Sequence, residues 1–334
     1  MQAQYTSLEI CAGAGGQALG LEESGFAHVG LVEVDAHACK TLISNRPNWN
    51  VITEDLKDWV PDEALKGVTL LSGGVPCPPF SRAGKQLGRE DERDLFPQML
   101  ALARALEPEA ILVENVRGLL SSKFDEYRAE LLASFEALGY VACGEAKYHG
   151  WQLLNAADFG VPQNRRRALL VLMRPKAAEH FTWPLETERV TVADALLPFL
   201  TGWDHAERWA KGADDCAPAL VGGSKKHGGA DLGPTSAKAA WKKLGVNGMK
   251  LADSSPVPSA SFTGEPLLTV EMAAAIQGFP ADWKFEGSGK TARYRQVGNA
   301  FPPPVARAVG KSIIEALEKA SAGRSSTTEG EAAA

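Results

Sequence analysis

From Tyr5 to about Met173, short apolar, β-branched runs alternate with longer stretches whose apolar positions recur every three or four residues. That alternation predicts βαβ units and a mainly parallel sheet. Strands are expected at Leu8 to Ile10, Val29 to Val34, Val51 to Ile52, Thr69 to Leu71, Ala110 to Val113, Val141 to Lys147 and Ala168 to Leu172. Helices fall between them. In the stretch Leu95 to Leu106, the residues Leu95, Met99, Leu102 and Leu106 share one face, and Pro108 ends it. A sheet of this kind binds ligands at the carboxyl ends of its strands.

After Trp183 the rhythm breaks, and from about Thr201 to Ser261 glycine, serine, lysine and tryptophan replace it. A second, smaller domain is expected there. Between Gly222 and Lys250 six lysines (225, 226, 238, 242, 243 and 250) stand against one acid, Asp231, with His227 and Trp241 among them. Such a run is either a solvated face or a contact for a polyanion. Residues 323–334 are mostly Ser, Thr, Gly, Ala and Glu, too polar to bury a core, and are expected to form a disordered tail.

Composition narrows the class. The 334 residues are 45% hydrophobic and 23% charged, ordinary for a globular chain, and no apolar run approaches the length of a membrane span. The stretch Met1 to Thr6 lacks the features of a signal peptide, and five scattered cysteines fit a reduced, cytoplasmic compartment. A net charge of −6 argues against a chain that coats polyanions with its whole surface, but leaves room for a local basic cleft.

Candidate chemistry clusters at the expected strand ends. Directly after the first strand, Ala12-Gly13-Ala14-Gly15-Gly16 turns the backbone tightly and presents amides at a helix N-terminus, a cradle shared by nicotinamide and S-adenosylmethionine sites. Glu33, ending the second strand, can accept both hydroxyls of a ribose. Asp55, after the third, is either a helix cap or an acceptor for an adenine amino group. After the fourth strand, Gly74-Val75-Pro76-Cys77-Pro78-Pro79-Phe80-Ser81 displays a thiol on a loop whose prolines fix φ and remove amide donors, so Cys77 is a candidate nucleophile or a small buried hydrophobe. The fifth strand delivers Glu114-Asn115-Val116 to the same edge. Arg165, Arg166 and Arg167 lead into the last large-domain strand, where alternation predicts that Arg165 and Arg167 point the same way.

Taken in order, Glu9 to Gly16, Gly73 to Lys85 with PCPPFS and GKQ, Glu114-Asn115-Val116, QNRRR from Gln163 to Arg167, LTVEMAAAIQGFP from Leu268 to Pro280, and Gln296-Val297-Gly298-Asn299-Ala300 resemble the conserved blocks of the DNA (cytosine-5) methyltransferase family. The resemblance spans nearly the whole chain. It implies a Rossmann-like, S-adenosylmethionine-dependent methyltransferase domain with a mixed, mostly parallel seven-stranded sheet, formed by residues 1–182 and 286–322, and a small irregular target-recognition domain with its hinge in 183–285. The implied cofactor is S-adenosyl-L-methionine, with no metal, and the implied partner is double-stranded DNA.

By the same resemblance Cys77 would add to C6 of cytosine, Glu114 would serve N3 and the amino group, and Arg167, with Arg165 nearby, would bind O2. Cys11, Ala12, Gly13, Gly15, Gly16, Glu33, Asp55, Pro76 and Asn299 would hold the cofactor. Ser81, Lys85, Arg93, Lys225, Lys226, Lys242 and Lys243 would face DNA. Because C5 and C6 are stacked inside a duplex, the target base would be flipped out, at a cost of about a few kcal/mol. A restriction endonuclease sharing the site, without a stable complex, and a monomeric state fit an enzyme of this size. Two positions depart from the family pattern: Cys11 stands where an aromatic residue often covers the adenine, and Pro266 where an arginine often precedes the threonine of the LTVEM block. Three alternatives stay open at this level: an RNA cytosine-5 methyltransferase on the same scaffold, a DNA-binding relative without catalysis, and a nicotinamide dehydrogenase with a catalytic cysteine.

Overall fold

The computed structural model describes residues 5–76, 94–223, 229, 231–255 and 262–331. The strands are β1 (Thr6–Ile10), β2 (Ala27–Val32), β3 (Val51–Ile52), β4 (Leu70–Gly73), β5 (Ala110–Val116), β6 (Val141–Ala142), β7 (Trp151–Asn155), β8 (Gln163–Asn164), β9 (Arg166–Met173) and β10 (Ala217–Pro218). The helices are α1 (Gly16–Ser24), α2 (Ala36–Asn45), α3 (Phe96–Leu106), α4 (Asp125–Glu136), α5 (Pro175–Ala178), α6 (Val192–Leu196), α7 (Ala206–Ala210), α8 (Thr235–Lys243), α9 (Val270–Gln277), α10 (Lys290–Asn299) and α11 (Pro303–Glu331).

Eight strands form the main sheet in the order β3-β2-β1-β4-β5-β9-β6, with β7 also paired to β9. The first five are parallel, and β9 runs antiparallel to β5, β6 and β7. The expected seven positions are therefore present, but the last is shared by two strands. The single strand expected from Val141 to Lys147 stops at Ala142, and pairing with β9 resumes at Trp151. Between them the chain leaves the sheet and returns through a narrow neck: a Cβ on Gly144 would fall 1.9 Å from the Gly150 carbonyl oxygen, and His149 and Gly150 both adopt positive φ. Neither constraint shows in hydropathy. Expected bounds shift elsewhere too, since β2 starts and ends two residues earlier than the apolar run suggests.

The parallel strands are buried on both faces, which is why they read as continuous apolar runs. Leu8, Ile10, Leu71, Ile111 and Val113 face a core with Met99, Leu102 and Phe135 from α3 and α4. Their neighbours Leu70, Ala110 and Leu112 face the opposite core with Leu21 and the α11 residues Val305, Val309 and Ile313. Helix α3 buries Phe96, Met99, Leu102 and Leu106, and Pro108 disfavours αR for Glu107, which caps the helix at φ 50 and ψ 48.

The last helix therefore packs back on the first. Its contact with α1 is close enough that a Cβ on Gly20 would lie 2.3 Å from the Pro303 carbonyl oxygen. The helical backbone of α11 continues to Glu331, through most of the stretch where composition predicts a tail. A third core gathers Val192, Leu196, Trp203, Leu220, Trp241, Leu251 and Leu268 and runs on without a gap into Met272, Phe279, Trp283, Val297 and Leu19 of α1. The irregular region thus shares its core with α9 and α10. A two-stranded parallel ladder, β8 with β10, adds a second join to the large sheet.

Candidate active site

Two adjoining cavities open at the carboxyl ends of β1, β2, β4 and β5. The larger, about 270 Å³, is lined by Glu9, by Cys11 to Ala14, Gly16 and Gln17 of the loop, by Glu33 and Glu114 and, from α10 and the segment after it, by Arg295, Asn299 and Phe301. The smaller, about 240 Å³, is lined by Val32, Val34, Leu56, Pro76 and Leu95, with Glu54 and Asp55. Cys11, Glu33 and Gly74 border both. The result is one two-lobed cleft with a polar lobe, an apolar lobe and Glu33 at their junction.

The glycines of the loop do different jobs. Gly13 and Gly15 adopt φ of 54° and 84°, and a Cβ on Gly13 would meet nothing within 4 Å, so its open side belongs to the cleft. Gly16 is needed for packing: a Cβ there would fall 2.1 Å from the Phe301 carbonyl oxygen. Glu33 closes the loop, since its two carboxylate oxygens accept the amides of Gly13 and Asp35, each at 2.7 Å. Burial raises the Glu33 carboxyl above its ordinary range, and those amides counter the shift. Cys11 sits in the left-handed region at φ 54, and burial followed by the charges of Glu33, Glu9 and Asp55 pushes its thiol far up, so it remains a neutral thiol. Asp55 lines the apolar lobe, and its Oδ1 accepts the amide of Lys57 at 3.0 Å at the start of a turn, not of a helix.

On β5, Glu114 faces the polar lobe and pairs with Arg167 of β9, Nε to Oε1 at 2.8 Å, with both side chains mostly buried. Gly74 makes room for this carboxylate: a Cβ on it would stand 3.1 Å from Glu114 Oε2. Asn115 points the other way. Buried, it donates to the Val75 carbonyl at 3.2 Å and thereby pins the chain two residues before Cys77. Cys77 itself lies outside the described residues, as do Ser81, Lys85, Arg93, Lys225 and Lys226. Lys242 and Lys243 are exposed in the last turn of α8.

Arg165 falls in the break between β8 and β9; it is buried and Arg167 mostly so, while Arg166 between them is exposed, and Arg165 feels the charges of both Arg167 and Glu114. Only 1% exposed, it donates to the carbonyls of Leu220 at 2.8 Å, Gly298 at 2.9 Å and Ala300 at 3.0 Å. Burial lowers its guanidinium, with a further push from Arg167. Beside it Gln163 accepts the Leu220 amide and donates to Gln277, which donates in turn to the Ala300 carbonyl. This polar hub ties the irregular region to the segment that carries Asn299.

Asn299 joins two parts of the molecule. It lines the polar lobe, and its Nδ2 donates to the Gly223 carbonyl at 3.2 Å. Here two glycines face each other, since a Cβ on Gly298 would lie 2.4 Å from the Gly222 nitrogen and one on Gly222 would lie 2.4 Å from Asn299 Oδ1. At the departure noted in the LTVEM block, the Pro266 carbonyl accepts the amide of Asn247 at 2.9 Å. Residues that sequence reasoning left out are Glu9, Gln17, Arg295 and Phe301, which line the lobe, and Asn115. Glu9 reads as a strand residue like its neighbours, and only its burial as a carboxylate marks it.

S-adenosylmethionine combines a purine, a ribose, a sulfonium cation and a zwitterionic amino-acid end, and the residues present fit it: one lobe is apolar, Glu33 stands at the junction, and the other lobe is acidic. Among the described residues no cluster of His, Cys, Asp and Glu is disposed to hold a metal ion, and no helix is long and apolar enough to cross a membrane.

Comparison with known proteins agrees. The family model for the C-5 cytosine-specific DNA methylase matches residues 5–315. The type II methyltransferase M.NaeI of Lentzea aerocolonigenes is 53% identical over 324 residues, covering 95% of this chain and 76% of its own. M.NgoMIV of Neisseria gonorrhoeae is 48% identical over 324 residues, covering 95% and 99%. Among solved structures, a putative DNA modification methyltransferase of an Escherichia coli prophage superposes with a TM-score of 0.64 at 21% identity, covering 94% of this chain and 100% of its own.

Proposed function

Because the chain belongs to the C-5 cytosine-specific DNA methylase family and is a DNA cytosine-5 methyltransferase, we propose that it acts on a cytosine rotated out of duplex DNA, through a transient bond between Cys77 and C6. The observation that carries this reading is the Glu114–Arg167 pair at the cleft, set on the strand whose next residue, Asn115, anchors the Cys77 loop at Val75.

In this reading the Cys77 thiolate adds to C6, and its electron pair displaces density through the ring onto N3 and O2. Glu114 then hydrogen-bonds or protonates N3, and Arg167 donates to O2, so the charge created by addition is held where it develops. C5 becomes nucleophilic and takes up the methyl group; loss of the C5 proton and β-elimination return the thiolate. The cofactor, when bound, supplies an electrophilic methyl group on a sulfonium sulfur. Ala12, Gly13, Gly15 and Gly16 form its cradle, Glu33 is placed for the ribose, Asp55 and Pro76 for the adenine, and Asn299 for the far wall of the lobe. Arg165 acts in this scheme by holding the Asn299 segment.

Lys242 and Lys243, with Ser81, Lys85, Arg93, Lys225 and Lys226, are proposed to meet the DNA backbone, steering a duplex despite the acidic total charge. The enzyme would act as a monomer on cytoplasmic DNA and protect a site cut by a restriction endonuclease, as the names of its type II relatives suggest. The test is a duplex with 5-fluorocytosine at the target. Fluorine cannot leave as a proton does, so wild-type protein should form a denaturant-stable adduct and Cys77→Ala none. Turnover by Cys77→Ala, or an adduct in its presence, would remove Cys77 from the mechanism.

A further inference from the structure

The first turn of α4 packs against two stretches of chain that leave the candidate site. One is the run of tight turns at Arg117–Leu120 and Ser122–Phe124, which continues β5 beyond Glu114. The carbonyls of Leu119 and Ser121 accept there from Arg128, which is only 1% exposed and also pairs with Asp125 at 2.6 Å. The other is the approach to α3, where the described chain resumes at Asp94. The Tyr127 hydroxyl donates to Asp94 Oδ2 at 2.9 Å, while Asp94 Oδ1 accepts the Phe96 amide at 3.0 Å. Successive residues of one helix thus hold the chain that follows Glu114 and the chain that follows the Cys77 segment.

The near end of that segment is held from β5 itself. Asn115 donates to the Val75 carbonyl, so residues 77–93 run between an anchor on β5 and an anchor on α4. Pro76 and Leu95, the neighbours of Val75 and Asp94, both line the apolar lobe, which places the two anchors on one wall of the cleft. Asp94 is half-buried, and Tyr127 sets its ring edge-on to Phe96 with centroids 6.0 Å apart. Removing the hydroxyl alone would keep that ring contact, leave Asp94 bonded to the Phe96 amide, and release the tie between α3 and α4. Such a bond contributes little to folding, because a half-buried carboxylate that loses one donor is rehydrated. Its value lies in position: a nucleophile on a chain held at both ends spends more time at attack distance than one on a chain held at a single end.

Resting on the Cys77 reading above, we propose that Tyr127 is a positioning residue for methyl transfer. Through Asp94 it fixes the exit of the Cys77 segment as Asn115 fixes its entry, and with Arg128 beside it α4 keeps that segment and the Glu114 strand in one register.

The test is the rate of adduct formation on a 5-fluorocytosine duplex, in a single turnover with cofactor and DNA saturating. Tyr127→Phe should slow it by about tenfold, the lower end of what a hydrogen bond to a charged acceptor is worth, with affinities for S-adenosylhomocysteine and DNA within about twofold of wild type and the melting temperature within about 3 °C. Asp94→Asn should stay within about threefold, since its carbonyl oxygen still accepts the Phe96 amide and its amide can donate to the Tyr127 oxygen. Asp94→Ala should slow the step at least as much as Tyr127→Phe, and adding Tyr127→Phe to it should change nothing further, because both act through the same bond. A purely structural role would lower the melting temperature and leave the rate of the folded protein untouched. Adduct formation by Tyr127→Phe at the wild-type rate, additive losses in the double variant, or a loss matched by weaker cofactor or DNA binding would overturn the proposal. If wild-type protein forms no adduct, the Cys77 reading fails along with it; if wild type forms the adduct and Tyr127→Phe forms it as fast, only the role of Tyr127 fails.

Discussion

Replacing Arg165 separates two roles that the arginine block can play. In the structure its guanidinium is buried and spends its donors on the carbonyls of Leu220, Gly298 and Ala300. Arg165→Ala would leave the carbonyls of Leu220 and Gly298 without this donor, each costing about 1–3 kcal/mol, while Ala300 keeps Gln277, against relief from burying the guanidinium itself. The net loss should resemble that of breaking a buried ionic network, about 3–5 kcal/mol, which is a large part of the stability of an ordinary domain. Arg165→Lys keeps a charge but cannot serve three carbonyls on two segments, and should lose roughly half as much. For a chain of this size each kcal/mol moves the melting temperature by about 2 °C, so shifts of about 6–10 °C and 3–5 °C are expected by differential scanning fluorimetry. Since two of the carbonyls flank Asn299, the lysine variant should also bind S-adenosylhomocysteine more weakly, while kcat at saturating cofactor falls less than threefold or so. A lysine variant that melts like wild type but loses about a hundredfold in kcat would refute this reasoning and return Arg165 to the cytosine.

Asn115→Ala frees the Val75 carbonyl and loosens the anchor of the Cys77 loop. It should lower kcat by about tenfold to a hundredfold with cofactor affinity unchanged, as measured by single-turnover methylation and calorimetry. Gly16→Ala forces a methyl group against the Phe301 carbonyl and should destabilise the protein by about 1–3 kcal/mol, measured by urea denaturation, with loss of cofactor affinity in parallel. Burial, and then the charge of Glu33, raise the Glu9 carboxyl, which gives a pH dependence of known sign. A raised folded-state value means that stability is full below the ordinary carboxylate value of 4.5 and is lost as pH rises towards the folded value, so ligand-free melting temperatures should fall across that window. Glu9→Gln should flatten this slope.

The order of the parallel strands was legible because both faces of each are buried and the runs are uniformly apolar. The six blocks were legible because their residue types serve chemistry. What escaped depends on distant parts of the chain or on backbone geometry. The excursion between β6 and β7 is set by a neck at Gly144 and Gly150, not by polarity. The carbonyls that take up Arg165's donors, Leu220, Gly298 and Ala300, lie far along the chain, so its anchoring contacts could not be read from the arginine block. Glu9 and Gln17 were given no role beside a recognised loop, since the burial of a single acid in a strand or of a glutamine at a helix start shows only in the folded chain. Where Cys77 lies relative to Glu114 falls outside the described residues.

The glycine pair at Gly222 and Gly298 bears on how such an enzyme can change its target. The first residues of the irregular region are pressed against the wall of the polar lobe, where even one methyl group at either position would collide with the other segment. A recognition segment transplanted from another enzyme therefore has to begin with the same bare backbone, whatever sequence follows. On the reading proposed above, the joint acts as a standard fitting that holds the entry to the lysine-rich stretch in a register the catalytic machinery can accept.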